Sequence, residues 1–448
     1  MKLKRKLYND LLEWKKEQGK TALLIEGARR VGKTTIALEF AKNEYKSYIL
    51  IDFSIASEEL KSLFTKYAST LDEFFFFLST LTNTTLHNRN TLIIFDEVQL
   101  FPKARQLIKH LVQDNRYDYI QTGSLLSIKQ NVKDILIPSE ERALVMHPLD
   151  FEEFCLALGE KQLYLQIKKH FDELKPLGPI HSKAMKVFRK YLLVGGMPQA
   201  ILALVNTNDY TRVDQVKRDI LRLYRNDISK YAKGYESKVL QIFDEIPAQL
   251  SKHEKKFKLS SISKDARFRE YEDAFMWLDE AMLTNACFNA DDPQIGLSLY
   301  KDRLKLKLYM ADTGLLISHA YDSTSKMHKD IAEKIVSDKL EANHGMVYEN
   351  IVAQALKANN KKLYFYSRID SRNSKNTMEI DFLISDPYNP SKISPIEVKS
   401  SKRYQTSSLI KFKTKFKSRI GRSFLLHTKD LTTKDNIYFL PIYMVGFL

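Results

Sequence analysis

The chain has 448 residues, which is more than one ordinary hydrophobic core accommodates, so two to four domains are expected. Hydrophobic residues make up 44% and charged residues 28% of the sequence, values that exclude disordered and collagen-like classes. The formal net charge of +16 favours a polyanion such as nucleic acid as partner, although a solvated lysine-rich surface gives the same balance.

The two cysteines, Cys155 and Cys287, are too few for a disulfide framework or a four-thiolate zinc site, and they favour a reducing cytoplasm. Residues 1–18 are charged throughout and lack the apolar core of a signal peptide. Their leucines and Trp14 recur at helical spacing, which predicts an amphipathic helix that packs on the domain that follows. No uncharged run is long enough to cross a membrane. We therefore expect a cytoplasmic protein.

The most specific motif lies in residues 21–35, TALLIEGARRVGKTT. The apolar run over 21–26 predicts a buried parallel strand, and the G-x-x-x-x-G-K-[ST] spacing of a P-loop follows it. Its glycines let backbone N–H groups point at phosphate oxygens, Lys33 brings positive charge to the β- and γ-phosphates, and Thr34 can ligate Mg²⁺. A helix predicted over 33–42 directs its N-terminus at the same phosphates, whereas a chance glycine-rich turn is the alternative. The residues expected to bind ATP are Gly27, Ala28, Arg29, Arg30, Val31, Gly32, Lys33, Thr34 and Thr35.

A second apolar strand, predicted over 91–96, ends in Asp96 and Glu97. Behind a P-loop this is the Walker B pattern, in which Asp96 holds Mg²⁺ through water and Glu97 polarises the attacking water. The same acids could instead cap the helix predicted over 103–113. A further strand over 117–122 leads into Thr122-Gly123-Ser124, where Ser124 could bind the γ-phosphate as a sensor or form a plain β-turn.

Strands and helices alternate with short connections in this region, which predicts a parallel sheet with helices on both faces and nucleotide at the carboxyl ends of the strands. Three arginines, Arg29, Arg30 and Arg142, are candidates for sensing a phosphate or a neighbouring subunit, so a homo-oligomer is compatible with the sequence. Their spacing does not rank them, and any of them could be a surface charge.

The middle of the chain reads as helical over 150–232, with a turn at 195–198 that either contacts nucleotide or packs the helices. From residue 236, helical stretches are followed by two strand-like runs over 283–289 and 299–311, the layout of a winged helix. Leucines and cationic residues alternate over 303–308, so one strand face could follow a phosphate backbone. The helix over 268–283 is acidic and would be repelled, so DNA contact and protein packing both stay open.

The last region, 326–448, combines a helix over about 328–358 with strands predicted over 362–367, 379–385, 396–399 and 423–427. Two of the strands carry E-x-D and E-x-K, the form of a PD-(D/E)xK nuclease core. Asp381 and Glu397 would share a divalent metal with Glu349 from the helix as a further ligand, and Lys399 would position water and stabilise charge. The alternative is a nuclease-like fold that keeps these residues for salt bridges or binds nucleic acid without cutting.

Basic and aromatic residues crowd the same region, as expected for a nucleic-acid surface, although a solvated face has the same composition. They are Lys392, Lys399, Lys402, Arg403, Lys411, Lys413, Lys415, Lys417 and Arg419, with Tyr366 and Tyr404.

The segments GARRVGKTT, IIFDEVQ, QTGS, HPLDFEEF, YLLVGGMPQA, LYMADTGLL and MEIDFLI…IEVKSS together resemble the ATPases that join an AAA-type domain (AAA_14) to a DUF4143 region. The resemblance covers almost the whole chain. It implies an α/β P-loop ATPase domain (1–165), a helical lid (166–235), a winged-helix segment (236–325) and a restriction-endonuclease-like domain (326–448). Members often have Gly-Arg where this chain has Glu141-Arg142, which weakens the transfer of a role to Arg142.

Two hypotheses follow. The first is an ATPase that uses ATP and Mg²⁺ and couples nucleotide state to DNA binding, with metal-dependent DNA cleavage by the C-terminal domain. The second is a nucleotide-gated switch or scaffold whose nuclease-like domain is not catalytic. A transporter-associated ATPase is disfavoured because the sequence has no membrane span and no ABC-type signature.

Overall fold

The structure, a computed structural model, describes residues 2–123, 138–252, 255–321, 325–337, 344–368, 377–401 and 403–448. These residues form two compact units. The N-terminal unit comprises Lys2–His147 and Glu280–Met282, and the C-terminal unit comprises Pro148–Asp279 and Leu283–Leu448. In the described ranges, no helix is both long enough and apolar enough to span a bilayer.

The N-terminal unit is built on a parallel sheet, as the alternation of strands and helices predicts. Its elements are α1 (Leu7–Lys16), β1 (Ala22–Glu26), α2 (Lys33–Glu44), β2 (Ser47–Asp52), α3 (Glu58–Lys66), α4 (Leu71–Thr82), β3 (Thr91–Asp96), α5 (Pro102–Asp114), β4 (Asp118–Gly123) and β5 (Glu141–Val145). The strands lie in the order β2-β3-β4-β1-β5, and every neighbouring pair is parallel. The predicted α/β fold of this region is confirmed.

Apolar burial explains why these segments form these elements. Strand β3 is buried along its whole length, as expected for a central parallel strand without solvent-facing positions. On α4, Phe74 and Phe75 belong to the hydrophobic core, whereas Phe76 is 67% exposed. Trp14 of α1 is buried near Phe40 of α2, so the predicted amphipathic N-terminal helix packs on the core of the N-terminal unit.

The C-terminal unit begins with helices and ends with a mixed sheet. The helices are α6 (Phe151–Ala157), α7 (Lys161–Asp172), α8 (His181–Val194), α9 (Pro198–Thr207), α10 (Tyr210–Tyr231), α11 (Glu236–Ser251), α12 (Phe268–Glu280), α13 (Thr313–Ala320), α14 (Ser325–Val336), α15 (His344–Ala358) and α16 (Ser407–Lys415). The strands are β6 (Thr284–Ala290), β7 (Lys301–Met310), β8 (Tyr364–Arg368), β9 (Met378–Ser385), β10 (Ile393–Val398), β11 (Ser423–His427), β12 (Thr432–Lys434) and β13 (Ile437–Pro441).

These strands form one eight-stranded sheet in the order β12-β13-β11-β10-β9-β8-β6-β7. Strands β8, β9 and β10 form an antiparallel meander, and β11 and β13 continue it in parallel. The hairpin β6–β7, which the sequence assigns to a winged helix, pairs with β8 and extends the same sheet. The domain boundary at residue 325 stays a prediction. Backbone pairing between β6 and β8 joins segments on either side of it.

Candidate functional site

The P-loop connects β1 to α2, and its two motif glycines lie where only glycine fits. A Cβ atom on Gly27 would come within 2.4 Å of the carbonyl oxygen of Met146, the residue that follows β5. Gly32 precedes α2 with φ of 102°, a left-handed conformation that is strained for other residues. The backbone geometry thus accounts for the glycine spacing of the motif.

The ammonium of Lys33 lies inside this loop. Its Nζ donates hydrogen bonds to the carbonyl oxygens of Gly27 and Ala28, both at 3.0 Å, and the side chain is buried. Arg29 and Arg30 are exposed at the outer side of the loop. A positive charge at the N-terminus of α2 adds to the helix dipole, so the loop favours an anion such as a phosphate.

Asp96, at the end of β3, joins the P-loop to the sheet. The hydroxyl of Thr34 donates to Asp96 Oδ1 at 2.9 Å and lies 3.1 Å from Oδ2, and Thr122 at the end of β4 donates to Oδ1 as well. Burial, and then the nearby Glu97 and Asp52, raise the pKa of the Asp96 carboxyl above its usual range. A hydroxyl beside a buried carboxylate is an oxygen donor set that fits Mg²⁺.

Glu97 follows β3 in a left-handed conformation with φ of 52°, and the side-chain amide of Gln99 donates to its carboxylate. Helix α5 begins after Phe101, and no side chain caps it. The acids at the end of β3 therefore do not serve as its cap, and Asp96 is instead held by hydroxyls from two neighbouring segments. Ser124, the predicted sensor, lies outside the described residues.

Arg5 is a contact of the P-loop that sequence reasoning missed. Its guanidinium donates to the carbonyl oxygens of Val31 at 2.9 Å and of His147 at 2.6 Å. Arg5 lies in a run of basic residues at the N-terminus, so nothing in the sequence distinguishes it from its neighbours. It fixes one side of the loop from a distant part of the chain.

Arg142, one of the three candidate sensor arginines, donates to Glu17 at 2.8 Å and is half-exposed. The preceding residue, Glu141, has the clearer structural role. Its carboxylate receives two hydrogen bonds from the buried Arg105, at 2.9 and 2.5 Å, and one from Gln121 at 2.7 Å. The acid at position 141 thus completes a buried ion pair.

In the C-terminal unit, the nuclease-like residues lie on α15, β9 and β10. Asp381 Oδ2 accepts a hydrogen bond from the backbone N–H of Val398 at 2.8 Å, which ties β9 to the end of β10. Lys399 Nζ lies 2.5 Å from Glu397 Oε1. The other oxygen, Glu397 Oε2, is buried without a hydrogen-bond partner among the residues that the structure describes. Burial raises the pKa of both Asp381 and Glu397 above the usual range.

An ammonium group stands among these carboxylates. Lys307 of β7 is 1% exposed, and its Nζ lies 2.9 Å from Glu379 and 3.8 Å from both Glu349 and Asp381. Lys255 also contacts Glu349. Among the residues that the structure describes, no cluster of three or more His, Cys, Asp or Glu residues has the geometry of a metal site. In this arrangement the donor set does not fit a shared divalent ion.

Lys307 also corrects the expectation of an open cationic strand face. On β7, Arg303 and Lys305 keep side chains that are 73% and 49% exposed, but Lys307 is buried. Strand β7 enters the hydrophobic core after Lys305, since Leu306 and Leu308 are buried as well as Lys307. The alternation of cationic residues and leucines predicts which residues share a face of the strand. It does not predict that both faces are buried at the end of β7.

Parts of the predicted basic surface are used within the fold. Lys413 donates to the carbonyl oxygen of Asp435 at 2.5 Å, and Lys392 and Arg419 bind Ser418 and Asp292 respectively. Lys402 lies outside the described residues.

A cleft of about 380 Å³ lies elsewhere on the C-terminal unit and contains basic groups. It is lined by Lys256, Asp291, Lys305, Tyr366, Ser367 and Arg368.

Comparison with known families identifies three regions. Residues 19–155 match the AAA domain family AAA_14, 185–326 match the domain of unknown function DUF8612, and 344–445 match the domain of unknown function DUF4143. A comparison with functionally curated proteins returns no match.

Solved structures are similar at low identity. ORC1 from Aeropyrum pernix in complex with DNA is 11% identical over 75% of this chain and 94% of that chain, with a TM-score of 0.27. AMPPCP-bound DnaA from Aquifex aeolicus is 12% identical over 63% and 80%, with a TM-score of 0.23. PCH-2 from C. elegans is 12% identical over 36% of this chain, with a TM-score of 0.22, and the match spans about half, 47%, of its length. The chain thus joins a region that matches AAA_14 to a region that matches DUF4143, which confirms the resemblance predicted from the sequence motifs.

Proposed function

We propose that this protein binds ATP with Mg²⁺, hydrolyses it, and uses its nucleotide state to control nucleic-acid binding by the C-terminal unit. The contact of Thr34 with Asp96, at 2.9 Å beside the buried Lys33, supports the first part. It brings together a phosphate-binding lysine, a metal-binding hydroxyl and a metal-binding carboxylate, which ATP hydrolysis requires.

The roles follow from these positions. Backbone N–H groups over residues 27–35 and the Lys33 ammonium bind the phosphates, and Thr34 and Asp96 would hold Mg²⁺. When bound, Mg²⁺ neutralises charge on the phosphate oxygens. Glu97 is assigned to orient and polarise the attacking water, while Thr122 fixes the Asp96 carboxylate. A γ-phosphate contact by Ser124 stays a prediction.

The proposed binding of nucleic acid by the C-terminal unit is supported by its charge. The chain carries a net charge of +16, and the cleft lined by Lys256, Lys305 and Arg368 gathers basic groups beside Tyr366. Basic groups neutralise phosphates without reading sequence. The Tyr366 ring is buried against Phe412 and Phe416 and is therefore not available to stack on a base, which corrects its predicted place on the nucleic-acid surface. We therefore assign this cleft to the nucleic-acid backbone.

The nucleotide assignment is tested by ATP binding and phosphate release. Lys33→Ala should abolish ATP binding, because the loop loses its phosphate-binding charge. Glu97→Gln should keep ATP binding and stop hydrolysis, because the amide cannot activate water. Normal hydrolysis by both variants would refute the site.

The nucleic-acid assignment is tested with the variant Lys305→Glu/Arg368→Glu, using single-stranded and duplex DNA with and without a non-hydrolysable ATP analogue. Binding should weaken at least tenfold and respond to the analogue in wild type. Lys168→Glu, an exposed charge reversal on α7, is the matched control and should bind normally. Equal binding by all variants, or no effect of the analogue in wild type, would contradict the proposal.

Metal-dependent cleavage of nucleic acid is a second candidate function. It is favoured by the buried Glu397 Oε2 beside Lys399, since this oxygen accepts no hydrogen bond within the described part of the chain. It requires a divalent ion to reach Glu397 and Asp381 past Lys307. The test is cleavage of plasmid and single-stranded DNA with Mg²⁺ or Mn²⁺, with and without ATP, in wild type and Lys399→Ala. Cleavage that the variant loses supports this candidate, whereas no cleavage with intact ATP hydrolysis supports a nucleotide-gated switch, whose assembly should then change in mass with ATP.

A further inference from the structure

The acidic centre of the C-terminal unit contains its own cations. Four carboxylates, those of Glu349, Glu379, Asp381 and Glu397, contact three ammonium groups, those of Lys255, Lys307 and Lys399. The lysines come from three separate segments, namely the segment after α11, strand β7 and the segment that follows β10. Of these three lysines, Lys307 contacts three of the carboxylates.

The oxygens of these carboxylates are largely taken. Glu349 receives Lys255 on Oε1 and the Tyr309 hydroxyl on Oε2 at 3.0 Å. Asp381 Oδ2 is held by the Val398 N–H, and its Oδ1 faces Lys307. A divalent ion shared by Glu349 and Asp381 would have to take the place of the Lys307 ammonium.

The surroundings of Lys307 suit a permanently charged group. A buried ammonium is stable only when it is paired, and here three carboxylates surround it. Its Nζ also lies 5.0 Å from the centre of the Phe365 ring, a cation–π distance. Burial lowers the pKa of Lys307. The carboxylates of Glu349, Glu379 and Asp381 outweigh this effect and raise the pKa overall.

We propose that Lys307 is the resident cation of this centre, and that its ammonium fills the place that a shared divalent ion takes in a metal-dependent site. The three ammonium groups then offset all but one of the four carboxylate charges from within the chain, and the wild-type centre needs no metal to hold α15, β7 and β9 together. This inference goes beyond the ATPase and does not depend on it, and it argues against the metal-dependent candidate for the C-terminal unit.

Removal of the ammonium should turn the centre into a metal site. Lys307→Met keeps an unbranched side chain of similar length but leaves the carboxylates of Glu349 and Asp381 without their shared cation. Oxygen-rich pockets with several carboxylates bind divalent ions, so the variant should acquire a site that wild type lacks. Lys307→Arg keeps the charge and should not acquire one.

The experiment measures Mn²⁺ bound to the nucleotide-free full-length chain by electron paramagnetic resonance, with thermal unfolding as a second readout. Nucleotide is left out so that Mg²⁺ or Mn²⁺ held with ATP does not contribute. Lys307→Met should bind one more Mn²⁺ than wild type and unfold at a higher temperature when Mn²⁺ is added. Adding Asp381→Asn to Lys307→Met should remove both effects. Lys305→Met, which removes an exposed lysine of the same strand, is the matched control and should behave as wild type.

Wild type itself keeps the inference falsifiable if Lys307→Met does not fold. Mn²⁺ binding by wild type that Asp381→Asn abolishes would overturn it, because a metal would then occupy the centre beside Lys307. Equal Mn²⁺ binding by wild type, Lys307→Arg and Asp381→Asn supports it. A folded Lys307→Met that gains no Mn²⁺ site would also overturn it. Rates of ATP hydrolysis enter none of these outcomes.

Discussion

The carboxylate of Asp312 accepts a hydrogen bond from the backbone N–H of Gly196 at 2.6 Å and so joins two segments that lie 116 positions apart. The same side chain caps α13 by accepting from the N–H of Leu315 at 2.9 Å. Gly195 has φ of 78°, and a Cβ there would come within 2.1 Å of Asp312 Oδ1. Of the two roles that the sequence left open for this glycine turn, packing is the one that the structure shows.

Replacing Asp312 by alanine should destabilise the C-terminal unit strongly. Two buried N–H groups would lose their acceptor, which costs about 2–4 kcal/mol of the free energy of unfolding. Urea unfolding followed by tryptophan fluorescence measures the loss. Asp209→Ala is the control, because Asp209 caps α10 at an exposed position, through the N–H of Thr211, and water can replace it. A loss no larger than that of the control would contradict the structural role of Asp312.

The geometry of the candidate nucleotide site could be predicted from the sequence because it is local. Residues 21–35 supply the strand, the loop and the helix that would surround a phosphate, and Asp96 ends a strand whose apolar run identifies it as central. Adjacent parallel strands then bring Asp96 and Thr122 together without further information. Local pattern and sheet topology suffice for such a site.

The lysines of the acidic centre could not be found in this way. Lys255 lies 94 positions from Glu349, and Lys307 lies on a hairpin whose edge position in the larger sheet no local pattern reveals. Alternating charge predicts which residues share a strand face, but tertiary packing decides whether that face is buried. For the same reason Arg5, whose partner His147 is 142 positions away, is visible only in the folded chain.

Asp96→Asn should separate folding from catalysis in the N-terminal unit. The asparagine oxygen can still accept from Thr34 and Thr122, so we expect a folded protein that binds nucleotide without metal. The loss of negative charge removes a Mg²⁺ ligand and should lower the hydrolysis rate by about 10²-fold or more. Phosphate release and fluorescent-nucleotide binding measure the two properties. Hydrolysis at the wild-type rate would exclude Asp96 as the metal-binding acid.

The ion pair of Arg105 with Glu141 allows a double-mutant cycle. Both side chains are about 95% buried, at 5% and 4% exposure, so Arg105→Met alone leaves an uncompensated buried carboxylate. Such a loss typically costs about 3–5 kcal/mol, whereas replacing both partners by apolar residues costs less. Denaturant unfolding of Arg105→Met, Glu141→Met and the double variant measures the coupling. Additive losses would show that the two groups do not stabilise each other.

Arg5→Ala should weaken nucleotide binding, because the guanidinium of Arg5 donates to a backbone carbonyl group of the loop and to one of the segment after β5. Without its hydrogen bonds to Val31 and His147, the P-loop is less ordered before nucleotide arrives, and the ordering cost is taken from the binding energy. A loss of about 1 kcal/mol corresponds to roughly a fivefold rise in the Kd for ATP. Lys4→Ala, which removes an exposed neighbouring charge, should leave the Kd unchanged. Equal affinities of Arg5→Ala and Lys4→Ala would contradict this role.

Stability should fall as the pH decreases from about 6.5 to about 4 because of His427. Burial lowers the pKa of His427 to about 4, with Lys429 and His181 also opposing its protonation and Asp430 favouring it. In the unfolded chain the imidazole has a pKa of about 6.5, so over this range the unfolded state binds a proton that the folded state does not. The contribution of neutral His427 to the free energy of unfolding is fully present above pH 6.5. It is lost as the pH falls, by at most about 3 kcal/mol.

Urea unfolding of wild type and His427→Asn at pH 7 and pH 4.5 measures this loss, and the variant should lose less stability than wild type between the two pH values. The same pH dependence in both proteins would show that His427 is not the titrating group. The imidazole of His427 would then bind its proton equally well in the folded and the unfolded chain.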